Sequence, residues 1–277
     1  GSDLSGAVFS STTVFFDGIS SVNFGTGAMI PTIQPGDTID FSGANLAGVD
    51  FSGSDLSGCT FNGSTVYSDG TVGVNLRGTN ATISNVQPGD SVNFSGANLA
   101  GVNFSGSDLS GAVFSPATIL YDPSSGFNPM VNFGGSNLSG VDFSGVNLAG
   151  VALYGSNLLG ATFSSTTILS DPAIGAVYFG NAAISTIQPA DAVNFSGVDL
   201  TGIDFSGSNL AGSILDSTTI YSDGTTGVNL SGTNAVISTI QPGQSVNFSG
   251  VNLAGVDFSG SDLSGAVFSS TTVFFDG

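Results

Sequence analysis

The sequence contains no histidine, lysine, glutamate or tryptophan, and Arg77 is its only cationic side chain. All twenty acidic residues are aspartates, which gives a formal net charge of −19. Without cations to neutralise phosphates, the sequence excludes nucleic-acid binding and argues against docking on anionic membranes. Most general-base and nucleophile-activation schemes also lack their residues, so we predict that the protein is not an enzyme. Paired aspartates leave a glycosidase as a minor alternative.

The sequence has a single cysteine, which excludes an intramolecular disulfide. Cys59 lies in SGCTF, at a position that holds alanine in the matching segments around Ala7, Ala112 and Ala161. We predict that it is a small buried filler, with an interchain disulfide as the alternative. No apolar run approaches the roughly 18 residues of a transmembrane helix, so membrane insertion is not expected.

Large apolar residues recur every five positions in six runs. One run consists of Phe41, Leu46, Phe51, Leu56, Phe61 and Val66. Equivalent runs extend over 94–119, 133–168, 195–220 and 248–273, and Leu4, Phe9 and Val14 form a shorter one. A period of five matches neither the 3.6 of a helix nor the 2.0 of a strand, so the chain must turn after every short segment.

The residues around each central apolar position are of fixed type. A small or β-branched residue stands two before it, Asn or Asp one before it, Ser or Ala one after it, and Gly two after it, as in Ala44-Asn45-Leu46-Ala47-Gly48. We expect the central residue and the one two before it to point inward. The Asn or Asp and the Gly are expected at the corners, because both suit tight turns.

These slots carry a resemblance to a known family. The runs GANLAGVDFSGSDLSGCTF (43–61) and GANLAGVNFSGSDLSGAVF (96–114) resemble the pentapeptide-repeat family and its A(D/N)LXX signature. The resemblance implies an all-β fold, a right-handed quadrilateral parallel β-helix with four pentads per coil. Fifteen of the 22 phenylalanines occupy central slots, so we expect a ladder of stacked rings in the core.

We predict one continuous β-solenoid over residues 1–277, in which irregular β-rich segments connect the pentad modules. The modules cover about 1–16, 39–68, 92–121, 131–170, 193–222 and 246–275. The connecting segments repeat as well, since 68–94 closely matches 222–248. Their Val, Ile and Thr content with Gly and Pro punctuation predicts either irregular coils of the solenoid or excursions like β-hairpins.

An aspartate stands three residues after the last β-branched residue of every module and is followed by Gly or Pro. The six are Asp17, Asp69, Asp122, Asp171, Asp223 and Asp276. Stacked in a column, they could bind Ca²⁺, which takes several oxygen ligands. The alternative is a purely conformational role, because Asp-Gly and Asp-Pro form turns. Calcium is the one cofactor that the sequence suggests.

An apolar residue directly follows the last β-branched residue of every module. The six are Phe15, Tyr67, Leu120, Leu169, Tyr221 and Phe274. In a regular pentad this slot points outward. Either the chain changes geometry and buries these side chains, or they form an exposed stripe for lateral association.

The repetition at the ends of the chain shapes the functional prediction. Residues 1–18 and 260–277 have the same sequence, GSDLSGAVFSSTTVFFDG, which predicts a 259-residue super-repeat cut from a longer array. We therefore predict an extracellular or cell-surface structural fibre whose units associate head to tail into filaments. The alternative is a DNA-mimicking regulator that binds a topoisomerase, as the family resemblance allows, although such a mimic should be finite and capped. A binding face of outward Ser and Thr is a weaker third option.

Overall fold

The computed structural model describes most of the chain beyond residue 27. The described residues are 28–30, 33, 38–52, 54–57, 59–70, 73–83, 86, 90, 92–123, 130–180, 182, 184, 187, 192–205, 208–237 and 240–275. The chain divides into two compact units, Gly1–Val141 and Asp142–Gly277, and each is described by itself. The predicted module at 1–16 lies outside the described residues, and a continuous solenoid over 1–277 stays a prediction.

Each unit is built from coils whose neighbours pair in parallel. In the first unit Asp40 pairs with Thr60, which is twenty residues further on, and in the second unit Asn194 pairs with Ile214 in the same way. Twenty residues are four pentads, so the prediction of an all-β, right-handed quadrilateral β-helix is confirmed. The described residues contain no helix, and hence none that could span a bilayer.

The central apolar residues fill the interior of each coil. Phe41, Phe51 and Phe104 are fully buried, and each removes a ring from water at a gain of about 1.5–3 kcal/mol before entropy costs. The rings of Phe41 and Phe61, one coil apart, are stacked with centroids 5.3 Å apart. The predicted ring ladder is therefore present. Cys59 is also buried, as its alanine-like position predicts.

A five-residue corner joins two central residues that lie five positions apart. The Asn or Asp before the first of them turns its side chain back onto the backbone: Asp50 Oδ1 accepts the N–H of Ser52 at 2.8 Å, and Asn98 Oδ1 accepts that of Ala100 at 3.2 Å. Glycine follows in the left-handed region, as at Gly106 with φ 74°. Aspartate and asparagine thus close the same turn.

The last corner of each run has six residues instead of five, which corrects the predicted register. Val66, Ile119, Ile168 and Ile220 were predicted to be central and inward, yet they are 40–47% exposed. The following residues are buried instead, to within 2% exposure: Tyr67, Leu120, Leu169 and Tyr221. Of the other two predicted residues in this slot, Phe274 is 60% exposed and Phe15 lies outside the described residues.

A threonine holds each six-residue corner in place. The hydroxyl of Thr65 donates to the carbonyl of Phe41 in the adjacent coil at 3.0 Å, and it accepts the backbone N–H of Asn62 at 3.3 Å. The same donor bond recurs in the later runs, from Thr118 to Phe94, Thr167 to Phe143, Thr219 to Phe195 and Thr272 to Phe248. The buried hydroxyl supplies bonds that a five-residue corner takes from Asn or Asp, which frees the outward slot for an apolar side chain.

The connecting segments combine both predicted alternatives. After the six-residue corner the chain leaves the coil as an antiparallel excursion, with pairs Ser68–Gly73, Tyr121–Met130 and Ser222–Gly227. In the second unit a further excursion contains the two named strands, β1 (Ser170–Asp171) and β2 (Gly175–Ala176), which pair antiparallel. The chain then rejoins the coil, where Asn75 pairs in parallel with Asp50 and Asn98.

Candidate functional site

The most distinctive chemical feature of the surface is its carboxylates. Every aspartate that the structure describes is at least partly exposed. They are Asp40, Asp50, Asp55, Asp69, Asp90, Asp108, Asp122, Asp142, Asp171, Asp199, Asp204, Asp216, Asp223, Asp257 and Asp262. Most stand in the outward slot of a five-residue corner or in a hairpin excursion. The coils therefore present negative charge along their outer surfaces.

Several carboxylates are held by an asparagine of the next coil. Asn75 Nδ2 donates to Asp50 Oδ1 at 2.9 Å, and Asn137 Nδ2 donates to Asp108 Oδ2 at 3.1 Å. In the second unit Asn229 Nδ2 donates to an oxygen of Asp204 at 2.8 Å. These amides leave the charge in place while they restrict its position, so the carboxylates form a preorganised surface.

Hydrogen bonds from neighbouring serines favour the ionised form of three surface carboxylates. The Ser110 hydroxyl lowers the pKa of Asp108 below its usual value, and the side chain and backbone of Ser57 do the same for the pKa of Asp55. In the second unit Ser264 lowers the pKa of Asp262. Folding therefore favours the ionised form of these three carboxylates.

The single cationic side chain, Arg77, is engaged in an ion pair. Arg77 Nη1 lies 3.3 Å from Asp122 Oδ2, in an ion pair whose side chains are 37% and 17% exposed. The pair stays within the first unit and joins two of its coils. With one arginine against twenty aspartates, the net charge of the chain stays strongly negative.

Four of the six aspartates predicted as a calcium column lie in the hairpin excursions. Asp17 and Asp276 fall outside the described residues. Asp69 is exposed, Asp122 pairs with Arg77, and Asp171 in β1 accepts the N–H of Ala173 at 2.7 Å. Asp223 accepts the N–H groups of Thr225 and Thr226 at 2.8 and 2.7 Å. These bonds fit the turn role.

Within the described part of the chain, no three metal-ligating side chains come together in a group that could hold an ion. The calcium site stays a prediction, and it has a direct test below.

The surface also carries exposed apolar residues at the six-residue corners, which five-residue counting does not predict. Their signal is the threonine immediately before the β-branched residue, as in Thr65-Val66-Tyr67 and Thr219-Ile220-Tyr221. A threonine can lie inward only if its hydroxyl is hydrogen-bonded. When such a threonine occupies the inward position, the β-branched residue after it faces outward and the next residue faces inward. Strict five-residue counting overlooks that shift.

Solved structures of similar fold come from regulatory and resistance proteins. Trypsin-treated QnrB1, described as a plasmid-mediated fluoroquinolone resistance protein, is 20% identical with a TM-score of 0.27, over 88% of this chain and 84% of that one. HetL, a pentapeptide repeat protein involved in heterocyst differentiation regulation in Nostoc sp. strain PCC 7120, is 19% identical with a TM-score of 0.26, over 84% and 86%. No match was found among curated protein sequences.

The predicted fibre and its head-to-tail filament are wrong. The structures matched include QnrB1, described as a fluoroquinolone resistance protein, and HetL, described as involved in heterocyst differentiation regulation. The fibre prediction rested on the repeated sequence at residues 1–18 and 260–277. The extracellular or cell-surface location stays a prediction.

The family follows from a match over the pentad runs themselves. The model of pentapeptide repeats matches with eight copies at residues 39–65, 90–117, 131–167, 191–221 and 244–272. These segments make up more than half of the 277 residues and coincide with five of the six predicted modules. The chain belongs to the pentapeptide-repeat family.

Proposed function

We propose that this chain is a non-catalytic binding protein that mimics the charge of DNA and binds the cationic DNA-binding surface of a topoisomerase. The observation that carries the proposal is the preorganised carboxylate surface described above. Its charge has no structural necessity, because asparagine closes the same turns: Asp40 and Asn93 each accept the backbone N–H two residues on at 2.9 Å. Because an asparagine would close these turns equally well, the presence of aspartate points to recognition of a positively charged partner.

Charge of this kind acts mainly through steering and counterion effects. A surface of fixed negative charges raises the rate of encounter with a cationic partner, and added salt reduces that rate. DNA-binding proteins offer grooves of lysine and arginine that normally neutralise phosphates. A surface of carboxylates in fixed positions competes for such a groove, whereas a chain with one cation cannot neutralise the phosphates of DNA itself.

The test is competition on a purified type II topoisomerase. Binding of the full chain should weaken steeply as salt is raised, and duplex DNA should displace it. In the variant Asp50→Asn, Asp55→Asn and Asp108→Asn, affinity should fall about tenfold while circular dichroism and melting stay near wild type, because the asparagines keep the turns.

The matched control reverses the charge change in the same slots. Asn45→Asp with Asn93→Asp should strengthen binding, since the same turns then carry two more charges. Charge mimicry would be refuted if both variants bound the topoisomerase with the affinity of wild type, or if duplex DNA did not displace the chain.

A further inference from the structure

A pocket in the second unit combines aromatic, carboxylate and hydroxyl groups. It has a volume of about 230 Å³ and is lined by Tyr178, Gly180, Asp199, Thr201 and Asp223. Tyr178 and Asp199 are outward residues of adjacent coils that pair in parallel. Asp223 comes from the hairpin excursion that Ser222 and Gly227 close. The pocket therefore lies where an excursion overhangs the coil surface.

Tyr178 in the pocket wall is exposed, and so is Tyr154, whose ring neighbours it. Tyr178 is 56% exposed and Tyr154 is 44% exposed, with ring centroids 6.2 Å apart and planes inclined by 55°. A Cβ atom at Gly180 would lie 2.9 Å from Cε1 of Tyr178 and 3.1 Å from Cβ of Tyr154, so glycine makes room for this arrangement. Tyr178 stands in a slot that elsewhere holds Asn or Asp, and Tyr154 in one that elsewhere holds Ser or Ala. Exposed rings in such slots favour a ligand that stacks on them.

The polar groups of the pocket are mostly acceptors. Asp199 Oδ1 accepts the N–H of Thr201 at 2.9 Å, and Asp223 Oδ1 accepts two N–H groups of its own turn. The backbone bonds from Thr226 and Thr225 lower the pKa of Asp223, so this carboxylate is ionised. Both aspartates present negative charge beside the ring of Tyr178.

Thr201 adds an unusual group to this set. Among the described residues, its Oγ1 is the one buried side-chain oxygen without a hydrogen-bond partner. Buried hydroxyls are nearly always bonded, because an unpaired one loses its bonds to water without replacement. An orphan hydroxyl in the wall of a pocket is explained if a ligand atom bonds to it.

We propose that this pocket binds an arginine side chain of the partner protein, with the guanidinium stacked on Tyr178 and hydrogen-bonded to Asp199, Asp223 and Oγ1 of Thr201. The proposal rests on the proposed function, which supplies a cationic partner. Guanidinium is planar, stacks on aromatic faces and carries five donors, which suits three acceptors beside one ring. The second unit contains no arginine or lysine, so the cation must come from outside it.

Two other ligand classes fit less well. Lysine offers a compact ammonium that cannot stack and reach three separated acceptors at once. A neutral saccharide stacks on tyrosine as well, but it leaves two carboxylate charges without a counter-charge in a partly enclosed space. The combination of ring, two charges and one orphan hydroxyl therefore favours arginine.

The first test is a titration of the full chain with an acetylated Gly-Arg-Gly amide, followed by the ring-proton signals of its five tyrosines. The shifts should concentrate on Tyr154 and Tyr178. The lysine peptide should bind about fivefold more weakly, and the citrulline peptide, which has the same shape without charge, should not shift these signals. Equal shifts with arginine and citrulline, or stronger shifts with a neutral disaccharide, would overturn the proposal.

Variants separate a binding role from a structural one. Tyr178→Ala should weaken the arginine peptide about tenfold, whereas Tyr178→Phe keeps the ring and should stay within about twofold. Thr201→Val should weaken binding while the melting temperature stays the same or rises, because the orphan hydroxyl is replaced by a methyl group. Ile214→Ala, at another exposed outward site of this unit, is the control and should leave binding unchanged. A peptide affinity that Tyr178→Ala leaves intact would refute the site.

The same variants distinguish this inference from the proposed function. If Tyr178→Ala abolishes peptide binding but the chain does not bind the topoisomerase, the pocket stands and the proposed partner is wrong. If the topoisomerase binds and responds to the Asp→Asn variants but not to Tyr178→Ala or Thr201→Val, charge mimicry stands and the arginine pocket is wrong.

Discussion

The corner from Phe94 to Leu99 and the corner from Phe114 to Leu120 belong to the same run but expose different chemistry. In the five-residue corner Asn98 faces outward, and Asn93 closes the turn because its side-chain oxygen accepts the N–H of Ser95 at 2.9 Å. In the six-residue corner Thr118 lies inside and bonds to the carbonyl of Phe94, while Ile119 faces outward at 42% exposure. In the six-residue corner the turn-forming oxygen thus comes from an inward threonine and not from an outward Asn or Asp, and the outward slot is left to an apolar side chain.

The largest change in the free energy of unfolding is expected when a buried ring of a five-residue corner is removed. Phe104→Ala removes a fully buried ring that stacks on Phe133 with centroids 5.2 Å apart. The cavity should cost about 3–5 kcal/mol of unfolding free energy, measured by chemical denaturation. Ser105→Ala, the adjacent and partly exposed residue, is the control and should change it by less than ~0.5 kcal/mol. Equal losses would mean that the inward register of these corners is wrong.

The next effect concerns the threonine of the six-residue corner. Thr118→Val keeps the side-chain shape but removes the hydroxyl that bonds to the carbonyl of Phe94 and the N–H of Ser115, both at 3.0 Å. The carbonyl of Phe94 keeps its bond from the N–H of Ala97, also at 3.0 Å. We expect a loss of about 1–3 kcal/mol in the same measurement. Thr162→Val changes an exposed threonine and should be nearly neutral. A neutral Thr118→Val would show that the corner does not depend on this bond.

A smaller effect is expected on the pH dependence of stability. The pKa of Asp108 is lowered in the folded state, first by the Ser110 hydroxyl, so folding favours its ionised form. Its contribution is present above the unfolded pKa of about 3.9 and is lost as pH falls through the lower folded value. Asp108→Asn lacks this contribution and should therefore be slightly less stable than wild type near neutral pH when salt screens the net charge. Below about pH 4 the variant should lose less stability than wild type.

The pH measurement is a series of denaturant melts from about pH 6 to about pH 2 at fixed high salt. Identical slopes for wild type and Asp108→Asn over the acid range would contradict a lowered pKa at this corner.

Chelation should have the smallest effect. If the hairpin aspartates bound calcium, EDTA would lower the melting temperature and added Ca²⁺ would restore it by mass action. Asp122 is already ion-paired with Arg77, and Asp171 and Asp223 already accept backbone hydrogen bonds. We therefore expect no shift of the melting temperature in EDTA. A fall that Ca²⁺ reverses would establish the calcium column.

The sequence predicts the five-residue corners well because one period specifies both the inward ring and the outward turn former. It fails at the six-residue corners, where two consecutive apolar residues, such as Val66 and Tyr67, both fit a core slot by hydrophobicity. The choice depends on the hydroxyl of Thr65 and its carbonyl partner in the adjacent coil. That partner is 24 residues away, so local pattern alone does not identify it.

The pocket at Tyr178 is also beyond prediction from sequence. Its residues come from two coils and an excursion, and no spacing in the sequence connects Tyr178 with Asp223. The resemblance to the pentapeptide-repeat family specifies the coils but says nothing about where excursions approach them. Surface chemistry of this kind depends on the exceptions to the repeat and not on the repeat itself.

The equivalence of aspartate and asparagine at the five-residue corners has a consequence for how such proteins evolve. Their codons differ in the first base alone, so one nucleotide change adds or removes a surface charge. Because either residue accepts the same backbone N–H, as Asp40 and Asn93 do at 2.9 Å, the change leaves the corner intact. Selection can therefore adjust the affinity of the surface in small, reversible steps, along a path on which every intermediate folds.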